Sequence, residues 1–231
     1  MKLLVFTFTL TSVFSLLYGW NLSSKLISDF LNAFNLNQGV IFYCESSNVD
    51  ELKLLAKNEW KFLSFLNISD SELSHKVFKS SLKLDYRQIG VVFALACFET
   101  NKFLENFSRW NYFNSSYNWL MISKNYEESL EALTGKNVRL DSEIHLAVID
   151  EIGEAKIFDV YNPNPRTNGK IISNLIGNWS LSNGLKFSSK GTKFENRLNL
   201  HGAVINAGVV ATSSFMKNRT LVEYMESKLR T

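Results

Sequence analysis

The stretch Ile89-Gly-Val-Val-Phe-Ala-Leu-Ala-Cys97 decides the fold, because almost every residue in it is apolar. A strand of this composition has to be covered on both faces, as strands inside a parallel sheet are. Short apolar runs also occur at residues 39–44 and 119–122, and apolar residues at helical spacing mark the segments 22–34, 103–110 and 126–133. This alternation predicts a doubly wound α/β fold with right-handed crossovers.

The segments around this pattern are less regular. Helical spacing predicts an amphipathic helix over residues 51–66, and residues 77–84 have the pattern of a weak strand. Residues 144–149 and 155–161 flank a tight turn that contains Gly153, which predicts a β-hairpin. Residues 171–179 are rich in Gly, Asn and Ser, so we expect partly extended chain at the surface.

The C-terminal part begins with a charged loop at residues 190–197. The run of small and branched residues at 203–210 then predicts a buried strand, and Thr220 with Glu223 predicts the capping box of a short helix. Because little chain follows this strand, we expect it to open a second lobe of which only the beginning is present.

Cys44 and Cys97 are the only two cysteines. Each ends an apolar run predicted as a strand, and the carboxyl ends of parallel strands lie along one edge of a sheet. An even cysteine count in an oxidising compartment favours a disulfide between them, with two buried free thiols as the alternative.

The N-terminus indicates secretion. A short basic start precedes apolar residues 3–18 and then Gly19, a pattern typical of a cleaved signal peptide over residues 1–19. The apolar run is shorter than the about twenty residues that a membrane span needs, and an uncleaved anchor is the alternative. Six Asn-X-Ser/Thr sites predict glycosylation, with Asn67 and Asn114 as the strongest candidates beside Asn21, Asn106, Asn178 and Asn218.

Catalytic or metal chemistry is not indicated. The chain has no Gly-rich phosphate loop and no Gly-X-Ser-X-Gly motif, and its three histidines (His75, His145 and His201) are not at metal-ligand spacing. We expect a structural or surface role for His145, a solvated edge for the carboxylates between residues 141 and 154, and core or glycoprotein-surface positions for most tryptophans. A net charge of +3 without a basic block argues against nucleic acid as a partner. No catalytic residue, metal ligand or cofactor is therefore predicted.

Four segments together carry a family resemblance: Ser115-Ser-Tyr-Asn-Trp119-Leu, Ile157-Phe-Asp-Val-Tyr-Asn162, Gly177-Asn-Trp179 and Phe194-Glu-Asn-Arg197-Leu-Asn199-Leu200-His-Gly202. Because these segments occur in this order, the chain resembles the N-terminal part of the insect chemosensory ionotropic receptors. These are relatives of the ionotropic glutamate receptors, and the resemblance is to the branch numbered seventy-five.

The resemblance implies a periplasmic-binding-like, Rossmann-like N-terminal lobe at residues 20–195. Residues 196–231 would be the truncated start of the first half of a ligand-binding domain. The whole receptor would be a ligand-gated cation channel subunit on the extracellular face of the plasma membrane, paired with co-receptor subunits in a hetero-oligomer. A small organic acid or amine odorant would bind through the missing lobe, and no ligand-binding residue is expected in this chain. This portion would serve folding, assembly and subunit contact.

Two other functions compete with this one. The first is a self-contained secreted ligand-binding glycoprotein with no channel activity. The second is a secreted enzyme such as a glycan-processing transferase, which would require titratable groups that converge in one pocket.

Overall fold

The computed structural model describes residues 24–44, 62–68, 75–83, 88–97, 100–165, 169–188, 193–199 and 202. Helices and strands alternate in the first half of the chain, and strands follow one another in the second half. In chain order the elements are α1 (residues 24–33), β1 (Gln38–Tyr43), β2 (Phe62–Asn67), α2 (His75–Ser81), β3 (Ile89–Ala94), α3 (Thr100–Arg109), β4 (Tyr117–Ser123), α4 (Tyr126–Leu133), β5 (Glu143–Ile149), β6 (Ala155–Tyr161), β7 (Ile172–Ser180), β8 (Gly184–Phe187) and α5 (Lys193–Asn196).

The described strands form one sheet of eight in the order β2-β1-β3-β4-β5-β6-β7-β8. The five strands β2, β1, β3, β4 and β5 are parallel, and β6, β7 and β8 continue the sheet with antiparallel pairing. The parallel half has the 2-1-3-4-5 order of a flavodoxin-like doubly wound fold. The α/β prediction is therefore confirmed as a mixed, Rossmann-like sheet, in which the predicted hairpin of β5 and β6 is extended by two more strands.

Both faces of the sheet carry a core, as the apolar composition of β3 predicts. In β4, Trp119 and Met121 pack with α2, α3 and α4 on one face, whereas Leu120 belongs to a second core that α1 covers. The first core is dense in aromatic rings, and the ring centroid of Phe107 lies 4.9 Å from that of Trp119 and 5.3 Å from that of Phe42. Successive side chains of a strand point to opposite faces, so an uninterrupted apolar run fits a strand buried on both sides.

The hairpin and the last long helix follow from local turn chemistry. The Asp150 carboxylate accepts hydrogen bonds from the backbone N–H groups of Ile152 and Glu154, and Gly153 has a φ of 84°, which favours glycine. Helix α4 begins after Asn125, whose side chain accepts from the Glu128 N–H, and Gly135 follows its end with a φ of 74°. Both predictions are confirmed.

The assignment of the chain between β1 and β3 was wrong in two places. Residues 62–66 of the helix predicted over residues 51–66 belong to strand β2 in the structure. The residues before Phe62 lie outside the described part of the chain. In the segment predicted as a weak strand, residues 77–84, the first five residues belong to helix α2. Phe78 and Leu82 are four residues apart and both are buried, so the apolar spacing in this segment is helical. Residues 62–65 alternate between exposed and partly buried positions at a sheet edge, a strand pattern that the helical spacing of the leucines hides.

Strand β7 corrects the expectation of surface chain at residues 171–179. Its Trp179 is 1% exposed, and the indole N–H donates to the Asp29 carboxylate of α1 at 2.8 Å. The opposite face of β7 is open, with Leu175 and Asn178 exposed. At Gly177 the backbone of β8 approaches so closely that an added Cβ would lie 2.4 Å from the Lys186 carbonyl oxygen. Because β7 is buried on one side only and contains Gly and Asn, its composition is like that of surface chain, which is why its sequence does not predict a strand.

Several predictions fall outside the described residues. These are the signal peptide at residues 1–19, the strand at residues 203–210 and the helix that begins near Thr220. In the part of the chain that the structure describes, no helix combines the length and the hydropathy needed to cross a membrane.

Candidate functional site

The carboxyl end of the parallel strands is closed by a disulfide. Strands β1 and β3 are neighbours at the point where the strand order reverses, and Cys44 and Cys97 follow them with a Cα–Cα distance of 5.8 Å. The Thr100 hydroxyl at the start of α3 donates to the Cys97 carbonyl at 2.7 Å and supports this loop. The predicted disulfide is confirmed. In open α/β sheets the crevice at this reversal is the usual ligand site, so here a covalent bond spans the place that a ligand would use.

The amino end of the same sheet is closed by a buried ion pair. Arg197, directly after α5, is 2% exposed, and its guanidinium donates to both oxygens of Asp159 in β6, from Nε at 2.8 Å and from Nη2 at 2.5 Å. Its Nη1 donates to the Leu140 carbonyl, and the Tyr161 ring centroid lies 4.7 Å from the guanidinium carbon. All three guanidinium nitrogens therefore have partners, which is the geometry that a buried Arg–carboxylate pair needs.

A second cation holds the same segment. The Lys193 ammonium donates to the Glu143 carboxylate and, at 3.0 Å, to the Asp141 carbonyl. The Asn174 side chain donates to the Asn196 carbonyl at 3.3 Å. We call residues 193–199 the anchored segment, since three of its residues bind elements of the sheet domain that lie far away in the chain.

His145 lies next to Asp159 on the neighbouring strand β5. It is paired with Asp159 in the register of β5 and β6, is 4% exposed, and its ring centroid lies 5.4 Å from that of Phe30 and 4.5 Å from that of Phe34. Among the described buried side-chain polar atoms, its Nδ1 alone has no hydrogen-bond partner.

The protonation state of His145 follows from this environment. Burial lowers the pKa of His145 to about 4, helped by the positive charges of Arg197 and Lys193 and opposed by Asp159 and by a hydrogen bond with the Trp119 backbone. The imidazole is therefore neutral at pH 7. The structural role expected for His145 agrees with its buried position against Phe30 of α1 and Phe34, which follows α1.

The acidic residues between 141 and 154 divide into two groups. Asp150, Glu151 and Glu154 are exposed around the hairpin turn, as expected for a solvated edge. Glu143 is not, because its side chain is 16% exposed and pairs with Lys193. Asp141 lies between these extremes and pairs with Arg139 at 2.8 Å.

The sequence does not predict the Arg197–Asp159 pair, because residues 190–197 have the composition of a charged loop. One signal was available in the apolar strand Ile157-Phe-Asp-Val-Tyr161. A lone carboxylate in such a strand is costly to bury unless a cation pairs with it. The tryptophans behave as predicted where they are described, since Trp119 and Trp179 are buried and Trp110 is partly buried.

Four predicted glycosylation sites lie in the described part of the chain. Asn67 ends β2, Asn106 is on α3, and Asn178 is exposed on β7. The Asn114 side chain is held in a turn, where its oxygen accepts from the Ser116 N–H at 2.8 Å. Asn21 and Asn218 lie outside the described residues, so the six sites remain predictions.

A comparison with protein families identifies the chain. The family model described as ionotropic receptor 75a N-terminal matches residues 21–210. The chain belongs to this family. The ionotropic receptor resemblance seen in the sequence is thereby confirmed, and the family is one of receptor and ion-channel subunits and not of enzymes. The N-terminal region of an ionotropic receptor is extracellular. Among the curated proteins, no match to the chain was found.

Proposed function

We propose that this chain is the extracellular N-terminal portion of a chemosensory, ligand-gated cation channel subunit, and that this portion serves folding, assembly and subunit contact. The observation that carries the proposal is the family match over residues 21–210. The sheet domain, residues 20–195, is proposed to be a periplasmic-binding-like lobe, and residues 196–231 to begin the first half of the ligand-binding domain. The odorant, a small organic acid or amine, binds that second domain and not this one.

The geometry at both ends of the sheet supports a structural role for this portion. The crevice at the β1–β3 reversal is bridged by the disulfide, and the charges of Arg197, Asp159, Lys193 and Glu143 are used on one another. A catalytic or ligand-gripping site needs charged groups left available for a substrate.

The proposed glycans point to the surface used for subunit contact. Asn106 lies on α3, Asn114 follows it, and Asn178 pairs with Lys156 on the sheet face that α2, α3 and α4 cover. Three of the four described sites therefore lie on one side of the molecule. The fourth, Asn67, ends the edge strand β2 on the other face. We propose that co-receptor subunits contact that other side over α1, away from the β2 edge, because a glycan prevents close approach of another protein.

The test adds a glycan to each side. Asn37→Thr creates a glycosylation site at exposed Asn35, at the end of α1, and Arg139→Thr creates one at exposed Asn137 on the other side. The chain is secreted together with the N-terminal region of a co-receptor subunit, and co-purification is measured after mass spectrometry has confirmed both added glycans. We expect the Asn35 glycan to abolish co-purification and the Asn137 glycan to leave it unchanged.

Two results would contradict the proposal. A wild-type chain that is monomeric and does not associate with any co-receptor N-terminal region argues for a self-contained secreted protein. Loss of association with the Asn137 glycan but not with the Asn35 glycan places the contact on the other side and rejects the α1 surface alone.

A further inference from the structure

One face of the sheet is covered along its parallel strands and open along its antiparallel strands. Helices α2, α3 and α4 pack on this face, and the cover reaches Phe158 of β6, whose ring centroid lies 4.7 Å from that of Tyr126 at the start of α4. The cross-strand partner of Phe158 is Leu175 in β7, which is 52% exposed. A single exposed leucine is ordinary on a protein surface. What distinguishes Leu175 is the residue that lies beside it.

A β-bulge brings Asn178 onto the same face as Leu175. Residues three positions apart in a regular strand point to opposite faces. The pairing of β7 with β6 shifts by one residue here, so that Leu175 lies opposite Phe158 and Asn178 opposite Lys156. Because the two partners in β6 are two positions apart, they share a face. Leu175 and Asn178 therefore share it too, about 7 Å apart along the strand.

The neighbours of Asn178 fix its direction and its surroundings. Trp179 is buried on the opposite face and donates to Asp29, so the backbone of β7 is held and the Asn178 side chain points outward, where it is exposed. In the register, Asn178 lies between Lys156 and Lys186 of the two adjoining strands. Residues directly opposite one another in antiparallel strands have Cβ atoms about 4.5–5.5 Å apart. Two lysines and one exposed leucine thus surround this asparagine.

These surroundings suit a sugar that is attached to Asn178. Residues 178–180 read Asn-Trp-Ser, an N-glycosylation site. The first sugar of an N-linked glycan, N-acetylglucosamine, has hydroxyl and acetamide oxygens that accept hydrogen bonds from ammonium groups. Its ring also carries C–H groups, which pack on an apolar side chain. Because the sugar is covalently tethered beside Leu175, any other molecule has to compete with a high effective concentration.

We propose that Asn178 carries an N-linked glycan whose first sugar lies on Leu175, between Lys156 and Lys186, and covers the open end of this sheet face. The glycan then supplies to the antiparallel strands the cover that the described helices supply to the parallel ones. The inference rests on the proposed function only in requiring that the chain passes through the secretory pathway. It does not depend on ligand binding or channel activity.

Hydrogen exchange followed by mass spectrometry tests this on the full chain, secreted from eukaryotic cells. We expect peptides from β7 and β8 to exchange about fivefold faster in Asn178→Gln than in the wild type, and peptides from β3 and β4 not to change. The matched control is Asn106→Gln, which removes the site on α3 and should leave β7 and β8 unchanged. Trimming the wild-type glycans to a single N-acetylglucosamine should preserve slow exchange, because the first sugar makes the contact.

A second variant separates the contact from the mere presence of a glycan. In Leu175→Ser, the glycosylated and unglycosylated forms should differ by less than about twofold in β7 and β8, because the sugar has lost its apolar partner. A glycan effect that survives Leu175→Ser in full, or exchange that Asn178→Gln leaves unchanged, would overturn the proposal. If Asn178→Gln is not secreted, enzymatic removal of the glycans from folded wild type and from folded Leu175→Ser replaces it, with the same expected difference.

Glycopeptide mapping distinguishes failure of this inference from failure of the proposed function. If Asn178 is unoccupied while other sites carry glycans, the inference is rejected and the extracellular proposal is unaffected. If none of the six sites is occupied in the chain made in eukaryotic cells, both are rejected.

Discussion

The two ends of the sheet are closed by different chemistry. At the carboxyl end, the Cys44–Cys97 disulfide joins two neighbouring parallel strands. At the amino end, Arg197 reaches Asp159 from a segment that follows the whole sheet, and neutral His145 lies opposite Asp159 in the register of β5 and β6. The first closure is covalent and carries no charge. The second depends on ionisation and on the position of a late part of the chain. The comparison indicates that the amino end is where pH and the following segment can affect the domain.

The largest expected effect is on the covalent end. The double variant Cys44→Ser, Cys97→Ser should lower the free energy of unfolding by about 4 kcal/mol, because in the chain-entropy account the bridge closes a long loop in the unfolded chain. The loop spans 53 positions. Urea unfolding of the secreted protein measures this change, and reduction of the wild type with a thiol should reproduce it. Since no charge is involved, the loss should be the same at pH 7 and pH 5. A loss that varies with pH would contradict the comparison.

Removal of the buried cation comes next. Arg197→Met should lower the free energy of unfolding by about 3 kcal/mol, because it leaves the Asp159 carboxylate buried and unpaired. The matched variant is Arg197→Met with Asp159→Leu, which removes both charges and should recover most of the loss. Urea unfolding of the two variants measures the recovery. If the double variant is less stable than Arg197→Met alone, the Asp159 charge is not the cause of the loss, and the ion pair is not what closes this end.

The two ends also differed in how well the sequence predicted them. Strands β1, β3 and β4 and the disulfide were predicted because each strand contains an uninterrupted apolar run, and Cys44 and Cys97 stand at the ends of two such runs. The position of a cysteine relative to its own strand is local information. Together with the rule for parallel sheets, it placed the two cysteines at one edge of the sheet, and the pairing of β1 with β3 in the fold brings their sulfur atoms together.

The ion pair was not predictable in this way. Arg197 and Asp159 are 38 positions apart, and the residues around Arg197 have the composition of a solvated loop. Only the fold shows that the end of β6 and the anchored segment meet. Strand β7 was missed for a related reason, because one of its faces is open and its polar residues on that face hide the buried Trp179. Long-range pairing and one-sided burial leave little trace in local periodicity.

The pH dependence of the amino end is the third prediction. His145 titrates near 6.5 when unfolded but has a pKa of about 4 in the fold, so below pH 6.5 the unfolded chain takes up a proton that the folded chain does not. Stability from this residue is thus fully present above pH 6.5 and is lost as the pH falls toward 4. At about 1.4 kcal/mol per pH unit, the loss should reach about 2 kcal/mol at pH 5.

The control for this prediction is His145→Leu, which fills the same apolar site between Phe30 and Phe34 without a titratable group. Other groups titrate equally in both proteins, so the difference between the two urea-unfolding series at pH 7, 6 and 5 isolates His145. We expect the wild type to lose about 2 kcal/mol more than the variant between pH 7 and pH 5. Parallel series would show that His145 accepts a proton in the folded state, and that the amino end is no more sensitive to pH than the disulfide end.

The smallest expected effect is that of removing the Lys193 charge. It tests whether the partly exposed Lys193–Glu143 pair contributes less to stability than the buried Arg197–Asp159 pair. The side chains of Lys193 and Glu143 are 21% and 16% exposed, so solvent screens this pair more than it screens Arg197–Asp159. Lys193→Met should therefore lower the free energy of unfolding by only about 1 kcal/mol, and 0.5 M NaCl should reduce that loss while leaving the Arg197→Met loss almost unchanged.

Lys136→Met, which removes a pair with the exposed Glu105, is the matched control and should have no measurable effect. A Lys193→Met loss that equals the Arg197→Met loss in high salt would mean that the anchored segment binds as one cooperative unit. Burial of the guanidinium would then not be what distinguishes Arg197 from Lys193.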